Sequence, residues 1–157
     1  MLNHAKYQKR NGFVLLEALI AIAIFSFALL GLIGMQALSI KNSADAKYRA
    51  DAAYLSNQII GQMWVDRANL ADYAYRAAAN ACDASTTAPT STAVGNWLRD
   101  ISSVLPGVES GATNSLKPQI SLDNSAITST AVTVTVCWRL PNDVAPHNHI
   151  ATAQISN

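Results

Sequence analysis

The chain has 157 residues, of which half are hydrophobic and 13% are charged, and its formal net charge is +1. This balance lacks the excess of basic side chains that a phosphate-binding surface needs.

The first predicted element is a long apolar helix near the amino terminus. Between Gly12 and Lys41 the only charged side chain is Glu17. Residues 13–40 exceed the roughly 20 apolar residues that a helix needs to cross a lipid bilayer. Basic side chains precede this segment and acidic ones do not. The positive-inside rule therefore predicts a cytoplasmic amino terminus and an extracytoplasmic remainder.

The apolar segment is too long for an ordinary secretory signal, whose apolar region spans about 7 to 15 residues before a small-residue cleavage site. Two alternatives remain: a permanent single-span anchor, or a segment that is cut on its cytoplasmic side. In a plain anchor Glu17 would extend toward the lipid headgroups. Glu17 favours the second alternative, because a carboxylate in the bilayer is costly and a plain anchor gains nothing from it.

The sequence KRNGFVLLE at residues 9–17 resembles the class III signal of type IV prepilins. The resemblance implies that residues 1–12 form a basic leader and that a prepilin peptidase cuts after Gly12. It also implies that Phe13 becomes an N-methylated amino terminus. Glu17 would then pair with the terminal amine of a neighbouring subunit during assembly.

The helical pattern continues beyond the apolar segment, with hydrophobic side chains spaced by three or four residues. Because no proline occurs before Pro89, we predict one long helix over residues 13–79. Many major pilins carry a proline at the position of Gly34, which lies one turn after Gly31. These glycines either weaken the helix locally or let neighbouring helices approach closely, and the sequence leaves both readings open. The hydrophobic positions are Tyr48, Ala52, Leu55, Ile59 and Met63.

Four segments together resemble the minor pilins of the PilV type, known as type IV pilus modification proteins. They are LLEALIAIAIFS, LLGLIGMQA, AAYLSNQIIGQMWVDRANLADY and VTVTVCW. The resemblance implies a type IV pilin-like fold and a low-abundance subunit that helps to initiate pilus assembly in a tip complex, supporting adhesion and twitching motility. It implies contacts with other minor pilins, the major pilin, the inner-membrane assembly machinery and a tip adhesin. The subunit would lie in the inner membrane before assembly and in the extracellular pilus afterwards.

Residues 80–157 are predicted to form a small α+β head. Asn96 is a candidate N-cap for a short amphipathic helix that ends at Pro106-Gly107. Segments 117–122, 126–140 and 149–155 are rich in Ile, Val and Thr, and the second alternates strictly between two faces. We therefore expect an antiparallel sheet that packs on the upper part of the long helix.

Cys82 and Cys137 are the only cysteines, and both lie on the extracytoplasmic side, where a disulfide can persist. We predict that they form a disulfide, which would close a loop worth roughly 4 kcal/mol in the chain-entropy model. The alternative is two separate buried thiols.

No catalytic residue, metal site or cofactor is predicted. Ser and Thr are plentiful, but a nucleophile needs a base within reach, and His147 and His149 are the only histidines outside the leader. These two flank Asn148 in a proline-bounded loop and are expected to be solvated, with a metal-binding pair as the less favoured alternative. Removal of the leader leaves eight basic against ten acidic side chains, so nucleic acid is an unfavoured partner. Four basic residues could still cluster in space: Arg76, Arg99, Lys117 and Arg139. Three tryptophans are expected to pack in the core: Trp64, Trp97 and Trp138.

Three other functions fit parts of this sequence. A minor pseudopilin of a type II secretion system would share the leader, Glu17 and the long helix. A DNA-binding pilus subunit would need a basic stripe on the head. A membrane-anchored periplasmic protein that does not assemble would keep its leader intact.

Overall fold

The fold was analysed in a computed structural model that describes residues 11–83, 87–108, 116–141 and 143–156. Most of the predicted leader, residues 1–10, lies outside the described residues. The chain divides into two compact units, Met1–Ala44 and Asp45–Asn157. The secondary structure is α+β, with two α-helices, a 3-10 helix and three strands in the described residues.

The first helix, α1, spans Asn11–Val65. Its sequence is rich in Ala, Leu and Ile and contains no proline, so no backbone donor is missing from the helical ladder. In the first unit the side chains from Phe13 to Ile40 are all exposed to solvent. This helix is long and apolar enough to cross a membrane.

The helix ends well before the predicted limit at residue 79, so that prediction was wrong. Asp66 has non-helical backbone angles, and a 3-10 helix follows at Arg67–Tyr73. The Asp66 carboxylate accepts hydrogen bonds from the Asn69 amide at 2.7 Å and the Tyr73 hydroxyl at 3.2 Å. Short polar side chains of this kind compete with helical hydrogen bonding, so they end the helix without a proline.

The second helix, α2, spans Thr92–Val104. Its N-cap is Ser91, whose hydroxyl accepts a hydrogen bond from the Val94 N–H at 3.3 Å. Asn96 lies inside the helix and accepts a hydrogen bond from Arg99, so the predicted cap was wrong by about one turn. The Ser91 hydroxyl accepts from the backbone N–H of Val94, which has no partner within the helix, whereas Asn96 lies too far into the helix to cap its first turn.

The three strands form one antiparallel sheet in the order β1-β2-β3. Their bounds are Gln119–Asp123 for β1, Ser129–Trp138 for β2 and His147–Ser156 for β3. The predicted strands are therefore confirmed with small shifts in their ends. Beyond β1, Tyr75 forms an isolated antiparallel bridge with Ile120.

The core of the second unit lies between α1, α2 and one face of the sheet. It is a single cluster of buried side chains, so the predicted packing of the sheet on the helix is confirmed. Trp97 and Trp138 are almost fully buried, as predicted, but Trp64 is 46% exposed, and its expected core role was wrong. The largest fully buried side chains of the helices and strands are Ile59, Met63, Val94, Trp97, Ile101, Ile120, Val132, Val134, Val136, Trp138 and Ile155.

Candidate functional site

The exposed apolar segment of α1 is the first candidate functional surface. Glu17 is the only charged residue between Phe13 and Ile40, and its side chain is exposed. None of the ion pairs among the described residues involves Glu17. An unpaired carboxylate within an apolar, exposed helix is stable in lipid only if water, headgroups or a cationic partner compensates its charge.

Two glycines interrupt the apolar surface one turn apart. Apart from neighbouring residues and the backbone of the same helix, no heavy atom lies within 4 Å of the position that a Cβ would occupy at Gly31 or at Gly34. The helix continues through both residues. In the part of the chain that the structure describes, no other element occupies this space. There is room for close approach of another helix, and this does not decide between the two predicted roles.

The head is stapled by the predicted disulfide between Cys82 and Cys137, which is confirmed. Cys137 is fully buried in β2, and Cys82 lies in the segment before α2 with a positive φ of 65°. A non-glycine residue adopts this backbone conformation at a cost, so the tertiary structure must hold it in place. The disulfide is one of the contacts that does so.

Arg76 forms a second tie in the same region. Its side chain is fully buried and pairs with Asp83. Its guanidinium donates hydrogen bonds to the Lys117 carbonyl at 3.1 Å and the Asn80 carbonyl at 3.4 Å. Arg76 also has a positive φ of 55°. One cation therefore holds the segment before the disulfide against the segment that leads into β1.

The four basic residues that could have formed a nucleic-acid surface do not share a surface. Arg76 and Lys117 are buried, whereas Arg99 and Arg139 are exposed. Burial lowers the pKa of Lys117, and the nearby charge of Arg76 lowers it further. Both of these cations are buried, so they are not accessible to a phosphate backbone.

A cluster of charged and aromatic side chains surrounds His147, which lies at the start of β3. The sequence predicted that this residue lies in a loop, and that prediction was wrong. Its side chain is 31% exposed, so the predicted solvation is only partial. His147 Nε2 lies 2.8 Å from Asp143 Oδ2, and Nδ1 lies 3.9 Å from Asp45 Oδ1. The imidazole stacks on Trp138 with a centroid separation of 5.6 Å. Pro141 and Pro146 precede this residue and favoured the prediction of a loop. The contacts of His147 were not predicted because Asp45 and Trp138 lie far from it in sequence.

The His147 cluster has the chemistry of a structural brace. Asp45 also accepts a hydrogen bond from Arg49 at 2.8 Å, and the Arg49 guanidinium lies 6.0 Å from the centre of the Trp138 ring. The two carboxylates lie on different nitrogens of the histidine, so they do not converge on a common point. No group of three or more His, Cys, Asp or Glu side chains in the described residues could hold a metal ion.

Two tyrosines near the end of α1, Tyr73 and Tyr75, form side-chain hydrogen bonds in the second unit. Burial raises the pKa of Tyr75, whose hydroxyl donates to the Thr87 carbonyl at 3.2 Å. Burial also raises the pKa of Tyr73, and the charge of Asp66 adds to that effect. Both phenols are therefore held neutral and act as hydrogen-bond donors, Tyr75 to the Thr87 carbonyl and Tyr73 to the Asp66 carboxylate.

Comparisons with known proteins identify no relative. No family model, no curated protein and no solved structure matches this chain.

Proposed function

We propose that this chain is a minor pilin of the PilV type, a structural subunit that helps to initiate assembly of a type IV pilus and is incorporated into it. The observation that carries the proposal is the exposed apolar surface of α1 with Glu17 near its start. A second compact unit with its own core and disulfide follows this surface. Such a subunit needs an apolar helix for the membrane and the filament core, followed by a separately folded head, which here is cross-linked by a disulfide.

The proposed assembly mechanism depends on the spacing between Phe13 and Glu17. In the helical conformation these residues lie one turn apart on the same side of α1. Cleavage after Gly12 gives Phe13 a cationic amine in the apolar surroundings of the membrane. Glu17 of one subunit then pairs with the amine of the next, and the low dielectric makes this attraction strong when both charges are desolvated together. A subunit in the wrong axial position leaves both charges unpaired.

The head supplies the part of the subunit that lies outside the membrane. Before assembly it lies in the periplasm, with the amino terminus of the chain in the cytoplasm. After assembly it lies in the extracellular pilus, in a tip complex with other minor pilins and a tip adhesin. The disulfide favours this location, because disulfides persist in oxidising compartments.

The first experiment determines the amino terminus of the mature protein by intact mass and peptide sequencing. The chain is isolated from cells with the prepilin peptidase and from cells without it. We expect an N-methylated Phe13 only when the peptidase is present. An intact Met1 in both strains would refute the proposal.

The second experiment tests the role of Glu17 with a matched pair of variants. Glu17→Ala removes the carboxylate, and the double variant Glu17→Ala with Ala18→Glu moves it by one residue without changing composition. We expect normal cleavage in both, and little of either variant in sheared pili. Recovery of both variants at the wild-type level would eliminate the ion-pair mechanism. If only the double variant assembled, a carboxylate at either position 17 or 18 would support assembly, and the exact position of the charge would not matter.

A further inference from the structure

One end of the sheet is held to the first residue of the second unit, Asp45. His147 Nδ1 lies 3.9 Å from Asp45 Oδ1, and the Arg49 guanidinium lies 6.0 Å from the centre of the Trp138 ring. Asp45 follows Ile40, the last residue of the apolar segment, by five positions. Five residues span at most about 18 Å when fully extended and rise about 8 Å in a helix. This end of the sheet is therefore close to the membrane that α1 is proposed to span.

A short apolar tip lies at this end, in the connection between β2 and β3. It consists of residues 144–146, Val-Ala-Pro, which are all exposed, and we call it the VAP tip. Val144 is 100% exposed. The neighbouring Asp143 contacts His147 and is only 12% exposed, whereas Arg139, at the start of the connection, is exposed. Among the described residues of this connection, the exposed side chains are therefore apolar or cationic.

An equally exposed aliphatic side chain lies at the other end of β2. Ile127 is 96% exposed and precedes β2, whereas Val144 follows it. The strand has ten residues, so its two ends lie about 30 Å apart. Single exposed hydrophobic residues are common on soluble proteins, so exposure alone does not identify a binding surface. Position distinguishes these two, because the VAP tip lies at the end held to Asp45 and Ile127 lies at the far end.

We propose that the VAP tip inserts into the lipid surface of the membrane that α1 spans, on its extracytoplasmic face. Val144 contacts the apolar layer beneath the headgroups, and Arg139 pairs with lipid phosphates. The head of the unassembled subunit is then held at the bilayer at a second point. This inference rests on the membrane span that is part of the proposed function, and it does not require incorporation into a pilus.

The small size of the VAP tip favours lipid over a protein partner. A specific protein interface buries about 800 Å² on each partner, and three small residues supply much less than that. A lipid surface makes a smaller demand, because α1 already holds the chain in the membrane and gives the tip a high effective concentration there. The lipid surface is also continuous with the surroundings of the apolar segment, which ends shortly before Asp45.

The test uses the full chain in lipid nanodiscs that hold one chain each. Val144→Cys and its matched control, Ile127→Cys, each carry a small uncharged bimane fluorophore. The native cysteines form a disulfide and do not compete for the label. Quenching by lipids with a nitroxide at the headgroup is compared with quenching by iodide in the water. We expect the nitroxide lipids to quench the label at position 144 and not at 127, and iodide to quench the label at 127 more strongly.

A second set of variants separates insertion of the tip from attraction of the fluorophore to lipid. The label is moved to Ala145→Cys, and either Val144→Asp or Ile127→Asp is added. Loss of the valine and gain of a charge should reduce the lipid-contacting fraction of the tip about tenfold. Ile127→Asp should leave that fraction unchanged. Retention of the disulfide checks the fold of each variant.

Three results would overturn the proposal. The first is equal quenching by nitroxide lipids at positions 144 and 127, whether weak or strong. The second is quenching at position 145 that persists in the Val144→Asp variant. The third is failure of the chain to enter nanodiscs, which would also refute the membrane span in the proposed function. Entry into the discs without quenching at position 144 would remove the lipid contact alone, and would leave the proposed function standing.

Discussion

Replacement of Arg76 by methionine is the sharpest test of how the head is held together. The arginine side chain is fully buried, pairs with Asp83 and donates to three backbone carbonyls. Methionine keeps an unbranched stem of similar length. Residue 76 has a positive φ, and methionine and arginine are equally unfavourable in this conformation. The change in stability therefore reports the loss of the guanidinium alone.

The expected loss follows from the burial of each partner. Removal of one member of a buried ion pair costs about 3 to 5 kcal/mol. Asp83 keeps 38% of its side chain exposed, so water can rehydrate its carboxylate after the arginine is gone. The carbonyls of Lys117 and Asn80 lose charged donors at the same time. We therefore expect the lower end of the range, about 3 kcal/mol, which is a large part of the stability of a small domain.

The assay is chemical denaturation of the full chain in detergent micelles, followed by tryptophan fluorescence. Arg49→Met is the matched control, because Arg49 is 57% exposed and pairs with Asp45 one helical turn away. Such pairs contribute at most about 1 kcal/mol. A double-mutant cycle with Asp83→Asn measures the coupling between the two charges. If Arg76→Met destabilised the head no more than Arg49→Met, the assignment of Arg76 as a buried tie would be wrong.

Three further predictions concern the same unit. Replacement of Cys82 and Cys137 by serine should lower the free energy of unfolding by about 4 kcal/mol, measured by denaturation with and without reductant. Trp97→Phe should lower the free energy of unfolding by about 1.5 to 3 kcal/mol, because the buried indole donates a hydrogen bond to the Leu55 carbonyl of α1 at 2.8 Å. Trp64 is exposed, so Trp64→Phe should change the free energy of unfolding by less than about 0.5 kcal/mol in the same assay. The raised pKa of Tyr75 means that the unfolded chain loses this proton first, so stability should fall as pH rises above about 10, and Tyr75→Phe should flatten that slope in a pH series of melting temperatures. An unchanged slope would contradict the burial of this phenol.

The sequence predicts the elements of this fold better than their ends. Periodicity identified the helices and strands because hydrophobic spacing reports which face is buried. The end of α1 at Val65 escaped prediction, since it depends on hydrogen bonds from Asn69 and Tyr73 to Asp66. The start of α2 was also not predicted correctly, because several polar residues in this segment could act as the N-cap. The sequence alone does not show that Ser91 is the one that does.

The candidate sites divide in the same way. The apolar segment and Glu17 are visible in the sequence because lipid-spanning length and a lone charge are local properties. The surroundings of His147 are not local: Asp45 lies about a hundred positions earlier, and the stacking partner Trp138 belongs to another strand. Arg76 was considered as a surface cation, and no pattern in the sequence indicated that its side chain would be buried.

The disulfide also sets how far the head can be stretched. It joins residues 55 positions apart, with the sulfur-linked Cα atoms 5.5 Å from each other. A chain segment of this length reaches roughly 190 Å when fully extended. When α1 and the carboxyl terminus are pulled apart, the residues between Cys82 and Cys137 cannot be extended as long as the disulfide is intact. Force then passes directly from the segment after α1 through the sulfur bridge to the end of β2, and α2 and β1 lie outside its path.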